Sequence, residues 1–154
     1  MLRLAWDNAT GTADLQRGDT GALATDGALE TLVLVSLFTD AEATAEELAS
    51  AGLDQQRGWW ADAESVRPAG ATRMGSKLWL LSREKTTLAT LRRAEGYALD
   101  GLLWLQRQGI ADKITVTASR PRQGWLGLEV VITRPNKLLP PFKRLWELEH
   151  HAVL

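Results

Sequence analysis

The side chains that could do chemistry gather around two short strings. The first is Gly58-Trp59-Trp60-Ala61-Asp62. The second is Gly75-Ser76-Lys77-Leu78-Trp79-Leu80-Leu81-Ser82-Arg83-Glu84-Lys85. Asp62 and Glu64 follow the tandem indoles. A carboxyl against an aromatic wall can hold its proton near neutrality, and glycosidases work with two such acids. The plainer reading is that Asp62 braces its loop by accepting backbone or indole hydrogen bonds, because carboxyls adjacent in sequence rarely flank one substrate. His150 and His151 are the only histidines and lie four residues or fewer from the C-terminus. A catalytic or metal-binding imidazole needs a held ring and a second shell, so a Ser–His or Cys–His nucleophile is not expected. No phosphate loop, GxGxxG string or metal-spaced cluster is present. The pattern predicts a non-enzyme without cofactor or metal. Trp59, Trp60, Trp79, Trp104, Trp125 and Trp146 could stack on sugars or bases. Alternatively they fill the core and anchor an interface, since an indole combines large area with a polar handle. Of Trp59 and Trp60, one is expected in the core and one at the surface. Arg83 lies on a solvated helix end or an interface rim.

The bulk composition sets the frame. The chain has 154 residues, 45% hydrophobic and 24% charged, with no cysteine. That suits one domain over 1–154 with a core that needs no disulfide or Cys-ligated metal. No apolar h-region opens the sequence, so no signal peptide is expected. The longest apolar run, 32–38, is far short of the ~20 residues that span a bilayer, so no membrane partner is predicted. The net charge of −1 hides a polarity. Residues 1–66 carry twelve acids and three bases, whereas residues 67–154 carry fifteen bases and seven acids. The two halves either neutralise each other, or meet complementary neighbours in an assembly, or present a basic face to nucleic acid. The bases are scattered and not interleaved with aromatics, which disfavours nucleic acid.

Several elements must position these groups. Leu2, Leu4 and Trp6 alternate with polar or small residues and predict a short half-buried strand. Segments 13–17 and 23–25 read as further short strands. Asp26 can cap a helix over 28–38, although the β-rich run Leu32-Val33-Leu34-Val35 leaves a buried strand open. The acidic, alanine-rich segment 40–57 predicts a surface helix or mobile loop outside the core. A loop is expected over 61–73 and a short helix over 75–82. Thr86 or Thr87 can cap a helix over 88–107, whose apolar stripe is Leu88, Leu91, Ala94, Ala98, Leu102 and Leu105. Trp104 is off that stripe and faces a second layer or a partner. Gly96 and Gly101 are costly in a helix and predict close approach of another backbone, while Gly109 suits the left-handed end. Residues 113–119 and 125–133 form a hairpin with Leu128, Val130 and Ile132 on one face. A third strand over 141–146 begins at a sheet edge after Pro140 and Pro141, and the tail 147–154 is expected to be flexible. The fold class predicted is α+β: a central long helix on a small antiparallel sheet, with short helices and an N-terminal strand.

Four segments in order resemble the Mu-like bacteriophage gene-product-46 baseplate proteins. They are Ala24-Thr25-Asp26-Gly27 running into Glu30-Thr31 and Ser36-Leu37-Phe38-Thr39-Asp40; Arg57-Gly58-Trp59-Trp60-Ala61-Asp62; Gly75 to Lys85; and Glu95-Gly96-Tyr97-Ala98-Leu99 with Leu103-Trp104-Leu105. The hairpin end Val130-Val131-Ile132-Thr133-Arg134-Pro135 fits as well. Ala61 stands where that family often has Gly, and Ala41 to Ala51 reads as an insert. A weaker similarity is to the sheath-initiator wedge proteins of other contractile tails. Those carry a Glu-Pro-Arg-type turn where this chain has Ile110-Ala111-Asp112-Lys113, so their contact residues are not carried over.

The resemblance implies a structural subunit of a contractile tail baseplate, in the virion tail and assembled in the host cytoplasm. It would sit in the inner wedge, be oligomeric in the assembled baseplate, bind the large baseplate-J-like wedge protein and other baseplate or sheath proteins, and help start the sheath. Trp59, Trp60, Asp62, Trp79, Trp104, Arg83, Arg120 and Arg122 are the expected brace or interface residues, with Arg120 and Arg122 otherwise plain turn arginines. The alternatives are a tail-associated cell-wall hydrolase using Asp62 and Glu64, and a nucleic-acid binder using the basic C-terminal half.

Overall fold

The computed structural model describes residues 3–17, 28–62, 73–134, 137–138 and 142–147. Its element order is β1 (Leu4–Asp7), β2 (Thr12–Leu15), α1 (Ala28–Phe38), α2 (Ala45–Ala51), a 3₁₀ turn at Trp60–Asp62, a second at Leu78–Leu81, α3 (Leu88–Arg107), β3 (Lys113–Ser119), β4 (Trp125–Arg134), β5 (Lys137–Leu138) and β6 (Phe142–Glu147). β1 and β2 form a two-stranded antiparallel ribbon. In the main sheet β4 is central, pairing antiparallel with β3 on one side and with β5 and β6 on the other. The architecture is α+β, with the 20-residue α3 packed on this sheet.

The pleat decides the sheet's core face. Cross-strand partners Ile114↔Ile132, Val116↔Val130 and Ala118↔Leu128 put apolar residues of both strands together. Leu126, Leu128, Val130 and Ile132, at alternate positions of β4, are at most 2% exposed. Burying each such side chain contributes about 1.5–3 kcal/mol. A one-residue slip would turn all of them away from the core, so the register is strongly specified.

α3 lies between this sheet and α1. Its buried residues are Thr90, Ala94, Ala98, Gly101, Leu102 and Leu105, packed with Leu29, Val33 and Leu37 of α1 and with Leu78 and Leu81. The Thr87 hydroxyl accepts the N–H of Thr90 and caps the helix. At the other end Gly109 takes φ +69°, which favours glycine. α1 is apolar all round, which fits a helix surrounded by protein. It meets the ribbon through the Leu4 N–H donated to Thr31 Oγ1 (3.1 Å) and a Trp6–Phe38 stack at 4.3 Å.

Four expectations need correction. Leu88 is 66% exposed. The buried stripe runs through Thr90, and two residues correspond to about 200° around a helix, so Leu88 points the other way. Gly96 is displaced from Ala94 and Ala98 by the same angle, and a Cβ there would meet nothing within 4 Å. It therefore admits no neighbouring backbone, unlike Gly101. The acidic segment contributes to the core after all: Ala43 is 5% exposed and joins Trp79 and Leu80 in a second small cluster, with Leu48, Ala51 and Leu53 against it. The helical turn in the second signature spans only Leu78–Leu81 and is 3₁₀. Asp26, segment 23–25, the prolines at 140 and 141 and the tail beyond 147 lie outside the described residues.

Candidate functional site

The second signature is a clamp between α1 and α3. Gly75 takes φ +106°, and a Cβ on it would lie 2.5 Å from Thr39 O and 3.0 Å from Ala41 N. Only glycine suits both the angle and the space. The close approach lets Ser76 N–H donate to Thr39 O and Ala41 N–H donate to Ser76 O, both at 2.9 Å, an isolated parallel bridge between Asp40 and Ser76. The Ser76 hydroxyl donates to Leu37 O at the end of α1, where helix carbonyls lack internal partners. From the far side Gly101 of α3 leaves room: a Cβ there would be 3.0 Å from both Gly75 O and Ser76 Cβ.

The next residues extend the clamp. The Lys77 ammonium meets both Glu47 oxygens at 2.7 and 2.8 Å, tying the clamp to α2. Lys77 and the Thr44 backbone N–H hold the Glu47 carboxyl below its usual range. The indole N–H of Trp79 donates to Ala41 O (2.9 Å), and that of Trp104 donates to Ser36 Oγ (2.9 Å). Ser36 is fully buried within α1. Trp104 thus faces a second layer, α1. Leu78, Trp79, Leu80 and Leu81 are all buried, so the indole of Trp79 is a core element.

The first signature hangs from this clamp. Asp62 is 8% exposed, and its two oxygens receive the Met74 N–H at 3.1 and 3.3 Å, one residue before Gly75. The two strings are thereby joined through one carboxylate. Arg57 pairs with Asp40 at 3.3 Å and lies over the Trp79 ring at 5.4 Å. Trp59 and Trp60, however, are 36% and 74% exposed, with ring centroids 6.0 Å apart. The expectation that one would enter the core fails: Trp79 and Leu80 already fill the cluster beside Ala43. Two neighbouring indoles at the surface make a large apolar feature.

The remaining expected residues fall elsewhere. Arg83 is exposed and lines a cavity of about 330 Å³ with Asp54, Arg57 and Trp79. Arg120 and Arg122 lie in the β3–β4 turn: Arg120 donates to Thr86 O (3.3 Å) and Arg122 stacks 3.7 Å from the Trp125 ring centroid. Thus Asp62 and Trp79 both hold the clamp, Arg83 shares a cavity with Trp79, Trp104 lines another with Met74, Gly75 and Ser76, and the turn arginines stand apart. Glu64 lies outside the described residues. Sequence reasoning placed Ser76 and Lys77 in the second signature and Ser36 in a family segment without giving them a role, and it gave none to Glu47. The spacing Thr44-x-x-Glu47 was a readable signal, because it is a capping box, and both of its hydrogen bonds form.

No His, Cys, Asp or Glu cluster suited to a metal occurs among the described residues. No helix among them is long and apolar enough to cross a membrane. Asp62, Ser76, Lys77 and Trp79 of the two signatures are engaged in joining segments of the chain, while the two indoles at 59 and 60 stay at the surface.

A family model described as Phage protein GP46 matches residues 29–138. That interval contains both signatures, the clamp and the hairpin. The chain is 42% identical over 142 residues to Baseplate protein gp46 of Escherichia phage Mu, covering 92% of each chain. It is 36% identical over 135 residues to Mu-like prophage FluMu protein gp46 of Haemophilus influenzae, covering 88% of this chain and 87% of the relative. This chain therefore belongs to the phage protein GP46 family.

Proposed function

We propose that this protein is a structural component of a phage or prophage tail baseplate that works by protein–protein contact and not by catalysis. The observation that carries the reading is similarity along nearly the whole chain to a Mu protein named as a baseplate protein. The structure adds a physical fit. The tandem indole, with Trp60 74% exposed, is held on a loop braced by a buried carboxylate. Binding energy in interfaces concentrates in such anchors, since Trp brings large area at low conformational cost.

The finer reading is a place in the inner wedge of a contractile tail, with oligomeric copies around the baseplate. There the protein contacts the large baseplate-J-like wedge protein and supports the start of the sheath. Trp59 and Trp60 are the anchors, Asp62 braces their loop, and Trp79 and Trp104 hold the clamp behind it. Arg83 stands at the rim. The site is the virion tail, built in the host cytoplasm. Co-expression with the neighbouring tail proteins tests this. A complex is expected with the wedge protein, and Trp60→Ala weakens it. Failure to co-purify with any of them removes the reading. Clearing of peptidoglycan that disappears in Asp62→Asn would support the hydrolase alternative instead.

A further inference from the structure

At the start of α3, well away from the indoles, Lys85, Thr86, Thr87, Arg120 and Arg122 line a cavity of about 530 Å³. Three of these carry positive charge, and no residue of the lining is acidic. No carboxylate of the described residues lies in an ion pair with Lys85, Arg120 or Arg122. The cations of the clamp differ: Arg73 and Lys77 pair with Glu42 and Glu47. The 20-residue α3 begins here, so its positive dipole end and free N–H groups add to the field.

A second observation sits in the same wall: two of the three cations are held in place by contacts that leave them exposed. The backbone is anchored already, since Arg120 holds Thr86 O. Arg122 is fixed against the Trp125 ring, and a planar guanidinium held this way retains its donors for a carboxylate. Leu88, 66% exposed, adjoins the Thr87 cap.

We propose that this cavity is a docking site for an acidic segment of a partner protein. One carboxylate enters among Lys85, Arg120 and Arg122, and an apolar neighbour of that acid covers Leu88. A compact cluster of three exposed cations beside an exposed leucine fits one or two carboxylates. A nucleic acid would need an extended basic track along its phosphates. This site lies outside the indole loop and goes beyond the baseplate reading. The two fail separately, since peptide binding reports the cavity and co-purification reports the assembly.

The test is NMR titration of the whole protein with a short capped glutamate peptide, with a short DNA duplex in parallel. Shifts confined to the amides of residues 85–90 and 120–124 are expected. In Arg120→Gln/Arg122→Gln the dissociation constant should rise about tenfold, equivalent to about 1.4 kcal/mol. Lys85→Gln, whose side chain is exposed, serves if the double variant does not fold. Trp60→Ala, far from the cavity, should leave binding unchanged. Absence of shifts at those amides, or unchanged affinity in the folded variants, overturns the proposal. Tighter binding of the duplex with a steep salt dependence would overturn it in favour of nucleic acid.

Discussion

Replacing Gly75 by alanine should unfold the link between the two signatures at a cost out of proportion to one methyl group. Its φ of +106° belongs to a region in which L side chains are strained, at about 1–3 kcal/mol. The added Cβ would lie 2.5 Å from Thr39 O, and 3.0 Å from Ala41 N. Both neighbours are backbone, so no side-chain rotation relieves the overlap. Either the chain at 39–41 or that at 75–76 must move, and the two 2.9 Å hydrogen bonds joining them lengthen or break. One backbone group left unpaired costs a further 1–3 kcal/mol or so. The expected loss is about 3–5 kcal/mol, a fall in melting temperature of roughly 10 °C for a domain of this size. Urea denaturation followed by tryptophan fluorescence measures it. Gly96→Ala is the internal control. It lies in the same helix as Gly101 with open space around its Cβ position, so alanine should stabilise by about 0.5–1 kcal/mol. Opposite signs are therefore expected from one chemical change. A Gly75→Ala loss below about 1 kcal/mol, or destabilisation by Gly96→Ala, would refute the reasoning.

Three further outcomes follow from the same geometry. Trp104→Phe strands the buried Ser36 hydroxyl and should lose about 1–3 kcal/mol, whereas Ser36→Ala in the Trp104→Phe background should recover part of it; thermal denaturation of the double-mutant cycle separates them. Glu47 has a folded-state pKa depressed by Lys77 and by the Thr44 N–H, so its contribution is present above about pH 4.5 and disappears as pH falls through the lower folded value. The stability gap between parent and Glu47→Gln should be full at pH 7 and close toward pH 3 in urea melts at several pH values. Trp60→Ala should leave stability within about 0.5 kcal/mol of the parent yet weaken binding of the proposed wedge partner by about 2 kcal/mol or more, measured by calorimetry.

Much of this arrangement is legible in the sequence, and what is not has physical causes. The span of α3 was legible because a capping threonine, a run of three- and four-residue apolar steps and a terminal glycine agree with one another. The β3–β4 hairpin was legible from strict alternation. α1 was harder: a helix apolar all round loses its periodicity, and β-branched residues blur it further. Gly96 and Gly101 are the same residue in the same helix, yet only the second faces a neighbouring backbone, so residue type alone could not distinguish them. Ala43 reached the core because an alanine fits beside Trp79, a fact about the space left by a distant residue. The two indoles at 59 and 60 looked like one core and one surface residue by their hydrophobicity, but the position inside was already filled. The clamp itself was visible only as a string. Its meaning needed the carbonyls of Leu37 and Thr39, which lie more than thirty positions away in the sequence.

The most direct test of the baseplate reading is electron microscopy of lysates from a phage or prophage deleted for this gene and complemented in trans. The deletion should yield no particles with assembled baseplates and sheathed tails. The intact gene and Asp62→Asn should restore them, while Trp59→Ala/Trp60→Ala should fail to restore them although the protein accumulates folded. Normal contractile particles from the deletion strain would contradict the proposed function.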